Sequence, residues 1–269
     1  MKHFAILTLT LLLSLYNTFS QTINGKIVSK EDNRSISYSN IGILGKSIGT
    51  ISDTNGNFEL IIKELKTKDT LRISAIGFET RDITINEIIS KQLPINIFLE
   101  KKIYPIDEVV IKAKTTKARI VGTQTSSKVV QTGAKVNKGG VELASYLPVK
   151  KNAFLTNIRM NLASVPKDSV TFRIKIYSVE KKKPGELKSV KNILFRSKLL
   201  LGTNTFNVSD YQIMLSDDTF LSYELIEGKS PAFSVSLLGI KSYYRPASQA
   251  NWEKLPGSIA LYATLIYEK

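Results

Sequence analysis

The stretch that decides the fold is residues 49–60, GTISDTNGNFEL. Two short apolar segments flank the polar tetrapeptide Asp53-Thr54-Asn55-Gly56, and an Asn-Gly pair readily adopts the positive φ angles of a tight hairpin turn. We therefore predict a strand, a turn and a second strand. In this interpretation Asp53, Asn55 and Gly56 build the turn, and Phe58 enters a hydrophobic core.

The same segment does not have the spacing of a calcium loop. An EF-hand loop places its glycine at the sixth position of a loop that begins Asp-x-Asn-x-Asn, whereas Gly56 is the fourth residue counted from Asp53. We therefore predict no metal site here.

Further short segments with alternating apolar residues surround this turn. Seven or so strands within about 80 residues indicate a β-sandwich. We predict an all-β fold that begins with a seven-stranded Greek-key, transthyretin-like sandwich. Besides the two strands at the turn, the predicted strands are 22–28, 39–44, 70–76, 81–85 and 95–99, with one helical turn at 86–91.

The order of motifs in this region resembles the carboxypeptidase-regulatory-like domain of Bacteroidetes exported proteins, over about residues 22–100. The motifs are Ile23-x-Gly-x-Ile-Val28, Asn40-Ile41, the turn described above, and Ile76-Gly77-Phe78. The proline pair that is usual before the third strand is missing. The resemblance implies an accessory sandwich and no peptidase activity, because a zinc peptidase needs histidine ligands.

The first twenty residues have the composition of an export signal. Lys2 is followed by an apolar segment at 4–15 and by Thr18-Phe19-Ser20, which predicts cleavage after Ser20. We expect an exported protein in the periplasm or associated with the outer membrane or cell surface. A lipoprotein anchor is not expected, because the sequence has no cysteine.

The only histidine, His3, lies within this predicted signal peptide. A mature chain without His or Cys has no imidazole base and no thiolate nucleophile. It also has no disulfide and no zinc or copper site of the usual His/Cys kind. The catalytic options that remain are carboxylates, Ser-Lys pairs and oxygen-ligated metals, each of which needs side chains that converge in space. No such arrangement is evident in the sequence, and we predict no catalytic residue, no metal and no cofactor.

Charge divides the chain. Residues 21–111 contain 12 Lys/Arg and 12 Asp/Glu, whereas residues 112–269 contain 25 and 11, a net charge of +14. One interpretation is that these lysines are solvated loop ends. The other is an anionic partner, namely an acidic glycan or lipopolysaccharide. Nucleic acid is not expected as a partner of an exported chain.

A second β-domain is predicted after a polar linker. The predicted domains are a signal peptide at 1–20, the first sandwich at 21–111, a linker at 112–118 and a jelly-roll-like sandwich at 119–269. The linker predicts that the two domains fold independently. Predicted strands of the second domain are 120–130, 154–162, 169–179, 193–200, 205–208, 219–226, 232–238 and 258–267, with turns at Pro166-Lys167-Asp168, Pro184-Gly185-Glu186 and Pro256-Gly257.

Residues 104–111, YPIDEVVI, resemble the segment that joins such domains to the plug of TonB-dependent outer-membrane transporters. The resemblance implies that Asp107 to Ile111 adds as a strand to an outer-membrane or periplasmic partner. The alternative is that this segment only completes the first sandwich.

The segment 242–255 carries the best candidates for ligand binding: Tyr243, Tyr244, Arg245 and Trp252. Aromatic rings beside an arginine can stack on sugar rings and bind their hydroxyl groups. Alternatively, Trp252 closes one end of the sandwich and Arg245 lies over it.

The sequence favours a non-enzymatic envelope protein with a docking or spacing domain and a basic binding domain. The alternative is a glycan-active enzyme that uses carboxylates alone. Its candidate residues are Asp217-Asp218, Glu224 and Glu227, but the adjacent aspartates fit a turn, and the two glutamates are predicted on opposite faces of one strand.

Overall fold

The computed structural model describes residues 21–62, 66–103, 116–133, 139–150, 152–239 and 241–268. The predicted signal peptide, the segment 104–111 and the start of the predicted linker lie outside these residues. Within the described ranges, no helix has the length and apolar character needed to span a membrane.

The first domain is a two-layer β-sandwich. Sheet I has the order β4-β1-β7, in which β1 and β7 are parallel, and sheet II has the antiparallel order β3-β2-β5-β6. Its elements are β1 (Gln21–Ser29), β2 (Asn40–Ile43), β3 (Gly49–Ile51), β4 (Asn57–Ile62), β5 (Thr70–Ser74), β6 (Arg81–Thr84), α1 (Ile85–Ile89) and β7 (Ile95–Leu99).

Alternation along the strands creates the core of this sandwich. In β4, Phe58, Leu60 and Ile62 are buried, and the residues between them are exposed. They pack with Ile27 of β1 and Ile41 of β2 in one cluster that fills the space between the sheets. The seven strands predicted for this domain are therefore present.

The turn at Asp53 differs from the predicted hairpin. β3 belongs to sheet II and β4 to sheet I, so the turn is a corner between the two sheets. Only Gly56 has a positive φ (+77°), because the Asp53 carboxylate accepts hydrogen bonds from the N–H groups of Asn55 and Asn57, both at 2.8 Å. This side-chain cap replaces the two positive φ angles of a hairpin turn.

The second domain is an antiparallel sandwich of two larger sheets. Sheet III has the order β13-β12-β17-β10-β19-β20, with β14 also on β12. Sheet IV has the order β21-β18-β11-β22-β8, with β15 and β16 on β11 and β9 on β18. Its elements are β8 (Thr116–Gly122), β9 (Gln131–Thr132), β10 (Glu142–Leu147), β11 (Ala153–Ser164), β12 (Val170–Glu180), β13 (Lys183–Leu187), β14 (Ile193–Ser197), β15 (Gly202–Asn207), a 3-10 turn (Ser209–Tyr211), β16 (Ile213–Leu215), β17 (Thr219–Glu227), β18 (Ala232–Ser236), β19 (Ser242–Arg245), β20 (Glu253–Lys254), β21 (Ser258–Ile259) and β22 (Leu261–Glu268).

The core of the second domain lies between sheets III and IV. Phe172 and Ile174 of β12 and Tyr223 of β17 enter it from sheet III, and Ile158 and Leu261 enter it from sheet IV. The opposite face of β12 and β17 is buried as well, except near their ends. The all-β sandwich architecture predicted from the sequence is therefore confirmed.

Several predicted boundaries in this domain were wrong. The strand predicted at 120–130 begins at Thr116 and ends at Gly122, whose φ is +105°. The segment Pro184-Gly185-Glu186 lies within β13, and the turn before it is formed by Lys181 and Lys182, both at positive φ. The short strands β9, β16, β19 and β20 were missed, and so was β10, because β10 is buried on both faces and therefore does not alternate.

The two domains contact each other through the outer faces of sheets II and III. Gly42 and Gly49 are paired across β2 and β3, and the backbone of Ser248 lies directly against both. A Cβ at Gly42 would lie 2.9 Å from the Ser248 carbonyl carbon and closer still to its oxygen. Gln249 adds two hydrogen bonds between the domains: Gly45 N–H donates to Gln249 O (3.0 Å), and Gln249 Nε2 donates to Ser74 Oγ (2.8 Å).

We predict that Gly42→Ala weakens the contact between the domains, because the added methyl group would overlap the Ser248 backbone. The free energy of unfolding should fall by about 1–3 kcal/mol, as is typical of an overpacked site. Urea denaturation of the full chain measures this. Glu59→Ala, at an exposed position of β4, serves as the control; equal stability of the two variants would contradict the contact.

Candidate functional site

A row of four charged side chains crosses the outer face of sheet III. The strand register aligns Arg173 of β12 with Glu224 of β17, Glu224 with Glu142 of β10, and Glu142 with Arg245 of β19. Lys175 lies one step further along β12 on the same face. We call these five residues the interdomain charge cluster; apart from Arg245, whose side chain is 13% exposed, they are almost fully buried.

Glu224 is neutralised from two sides. Its Oε2 accepts a hydrogen bond from Arg173 Nε at 2.7 Å and lies 2.6 Å from Arg173 Nη2, while its Oε1 accepts from Lys175 Nζ at 2.9 Å. Asn40 Nδ2, from β2 of the first domain, also donates to Oε1. Both carboxylate oxygens are therefore fully engaged, as a buried charge requires.

Glu142 has an equally complete set of donors. Oε1 accepts from Lys175 Nζ at 2.9 Å and from Arg245 Nη2. Oε2 accepts from the Tyr177 hydroxyl at 2.8 Å and the Ser222 hydroxyl at 3.0 Å. Directly opposed glutamates would repel each other, so the cations on both sides and Lys175 between them make this pairing stable.

Burial and the neighbouring charges shift the pKa values of the titrating groups in the cluster. Burial alone would raise the pKa of Glu142, but the charges of Arg245 and Lys175 outweigh burial and hold this pKa well below its usual range. Burial lowers the pKa of Lys175, although both glutamates oppose that change. Burial also raises the pKa of the Tyr177 phenol well above its ordinary value, which keeps it a hydrogen-bond donor.

The first domain completes the cluster. Three cations face two carboxylates, which leaves one excess positive charge on the buried face. Oxygen atoms of the first domain accept hydrogen bonds from these cations. Tyr38 O accepts from Arg173 Nη1 at 2.9 Å, and Asn40 Oδ1 accepts from Arg173 Nη2 and Lys175 Nζ, both at 3.0 Å. The interface between the domains is therefore polar and specific in its hydrogen bonds.

Of the four residues predicted to bind a ligand, Arg245 belongs to this cluster, Tyr243 and Tyr244 lie on the same strand as Arg245, and Trp252 contacts Arg245. Tyr243 is buried, and its hydroxyl donates to Lys182 O at 2.8 Å, while half-buried Tyr244 packs against the core of the second domain. The Arg245 guanidinium carbon lies 4.5 Å from the ring centre of half-buried Trp252 and 5.6 Å from that of Tyr177. Ligand binding at these four residues stays a prediction.

The carboxylates considered for an enzyme do not share an open site. Glu224 is closed inside the cluster, whereas Glu227 is exposed at the end of β17. Asp218 accepts from Val149 N–H at 2.8 Å and from the Tyr146 hydroxyl, and burial together with this bond raises the pKa of Tyr146 to about 12. Among the described residues, no group of acidic side chains could hold a metal ion.

An open groove runs along the boundary of the two domains, with a volume of about 570 Å³. Asp53 and Glu59 line it from the first domain, and Ile226 and Glu227 line it from the second. Acidic side chains at its walls make it unsuited to the anionic partners that the net charge favours.

Sequence reasoning missed the residues that join the domains: Asn40, Glu142, Arg173 and Lys175. Arg173 and Lys175 alternate with the apolar residues of β12, which is the usual pattern of a strand with one solvated face. No local signal distinguishes a face covered by water from one covered by another domain.

Comparison with known families identifies the first domain. Residues 23–111 match the CarboxypepD_reg-like domain family. The match covers the sandwich of sheets I and II and confirms the resemblance of the motifs around Asp53. No match was found among curated proteins.

We predict that Glu224→Gln strongly destabilises the full chain, because Arg173 and Lys175 would lose a buried carboxylate. Removing one partner of a buried ion pair typically lowers the free energy of unfolding by about 3–5 kcal/mol, which urea denaturation can measure. Glu227→Gln is the matched control, since Glu227 is exposed on the same strand and accepts only a 3.3 Å hydrogen bond from Thr171. A similar decrease in the free energy of unfolding of both variants would contradict a stabilising role of the cluster.

We also predict a pH dependence that Glu142 controls. Because its folded-state pKa lies below the unfolded value of about 4.3, its stabilisation is present above that pH and is lost as the pH falls towards the folded pKa. Below about pH 4.3, the free energy of unfolding should fall by up to about 1.4 kcal/mol per pH unit for this group. Glu142→Gln should flatten the curve measured between pH 7 and pH 3, whereas exposed Glu186→Gln should not; identical curves would contradict the prediction.

Proposed function

We propose that this chain, whose residues 23–111 form a CarboxypepD_reg-like domain, is a non-enzymatic two-domain protein of the cell envelope. The first domain, which is of a non-catalytic type, acts as a docking or spacing module. The second domain binds an anionic envelope polymer, either an acidic glycan or lipopolysaccharide.

The observation that carries this proposal is the positive charge outside the cluster. Apart from the five cluster residues, residues 112–269 contain 22 Lys/Arg and 9 Asp/Glu. The five cluster residues together account for only one of the 14 net positive charges of this region. A surface with a single dominant sign attracts polyanions over several ångströms and loses that attraction in salt.

Docking of the domains supports the proposal in a second way. Arg173 and Lys175 of the second domain donate three hydrogen bonds of 2.9–3.0 Å to Tyr38 O and Asn40 Oδ1 of the first domain. A rigid connection of this kind is useful in a protein that holds a polymer at a defined distance from a partner of its first domain.

The enzyme alternative receives less support from the geometry. A glycosidase needs one carboxyl group that is protonated near neutral pH and a second that reaches the same sugar. Glu142 and Glu224 converge on Lys175, but both are enclosed by donors, and the pKa of Glu142 is shifted downwards. These are properties of an ion-pair network.

We predict that the full chain binds heparin and lipopolysaccharide but not neutral dextran. Binding should weaken at least about tenfold when the salt concentration rises from about 0.05 M to about 0.5 M, because screening removes long-range attraction. Surface-immobilised polymers and a series of salt concentrations measure this. Binding to dextran that is equal to heparin binding, or heparin binding that is insensitive to salt, would contradict the proposal.

A further inference from the structure

A basic stretch of the described surface follows one edge of sheet III. β13 and β14 lie one after the other along the same side of β12. Their pairing runs from Val179↔Pro184 to Val170↔Ser197, which corresponds to about 30 Å at roughly 3.3 Å per residue. Within the part of the chain that the structure describes, no strand pairs with the outer side of either one. We call residues 181–198 the basic edge.

The basic edge has seven Lys/Arg residues and a single acidic residue, Glu186. All seven cations are exposed. Lys188 is 3.9 Å from Glu186, and Lys191 donates to Tyr211 O at 3.1 Å. The structure shows no ion pair for the other five, so most of this charge is available to a partner.

The turn at one end of the basic edge is held in a strained shape. Lys181 and Lys182 have φ angles of +47° and +66°, although such turns strongly favour Asn and Gly. The Tyr243 hydroxyl holds the Lys182 carbonyl at 2.8 Å. Strain maintained by a specific contact fixes the backbone positions from which the side chains of Lys181 and Lys182 extend.

We propose that the basic edge is the binding site for a linear acidic polysaccharide, which lies along β13 and β14. This inference rests on the proposed function and assigns it to one surface. The repeating carboxylate or sulfate groups of such a polymer would meet ammonium and guanidinium groups distributed over about 30 Å.

The composition of the edge favours a polysaccharide over a nucleic acid. Single-stranded nucleic acid is bound by basic grooves that include aromatic rings on which bases stack. The only aromatic residue of the basic edge, Phe195, packs against the core of the second domain and contacts Phe172 and Phe206. The edge therefore provides charge and hydrogen-bond donors but no stacking surface.

The test compares two variants of the full chain that lose the same charge. The edge variant carries Lys183→Gln, Lys188→Gln, Arg196→Gln and Lys198→Gln. The control variant carries Lys128→Gln, Lys167→Gln, Lys229→Gln and Lys241→Gln, at exposed positions outside residues 181–198. Heparin affinity at low salt should fall about tenfold or more in the edge variant and less than about threefold in the control, because only the former removes direct contacts.

Heparin oligosaccharides of increasing length provide a second measurement. Affinity should rise with length until the oligosaccharide spans the edge and then level off, and the edge variant should lose this dependence. An equal loss of affinity in both variants would overturn the site but leave the proposed function standing. Failure of the unmodified chain to bind any acidic polysaccharide would overturn the site, and failure to bind lipopolysaccharide as well would overturn both. Tighter binding to a DNA oligonucleotide than to heparin would overturn the choice of polymer.

Discussion

The neutralisation of two opposed glutamates by three cations is the interaction on which the arrangement of this molecule depends. Glu142 and Glu224 face each other across β10 and β17, where like charges are unfavourable. Lys175 contacts both, and an arginine stands on each outer side. Because one positive charge remains, the face is stable as a buried surface only when additional oxygen acceptors cover it.

Those acceptors come from the first domain, which explains the orientation of the two sandwiches. Asn40 both donates to Glu224 and accepts from Arg173 and Lys175, so its amide has a single arrangement that satisfies every neighbour. Gly42 and Gly49 leave room for the Ser248 backbone on the adjacent part of sheet II. Polar complementarity and close backbone contact thus act at the same interface, and they favour joint unfolding over the independent folding expected from the linker.

The first domain was largely predictable from its sequence, because its strands follow the alternation of a sheet with one buried face. β4 is the clearest example, with buried Phe58, Leu60 and Ile62 between exposed residues. The corner at Asp53 was harder, since the choice between a hairpin and a crossing between sheets depends on which strands pair at a distance. The candidate site was not predictable for the same reason: Arg173 and Lys175 look like residues of a solvated face until sheet II is placed over them.

Both surfaces that matter for the proposed activity involve β12. The inner partners of the basic edge are residues of β12, and the same strand presents Arg173 and Lys175 to the first domain. Tension between a bound polymer and the first domain would therefore pass across β12 and would not travel through the contacts between sheets III and IV. The hydrogen bonds of β12 to its neighbours lie transverse to the strand, so they would carry this pull along their own direction.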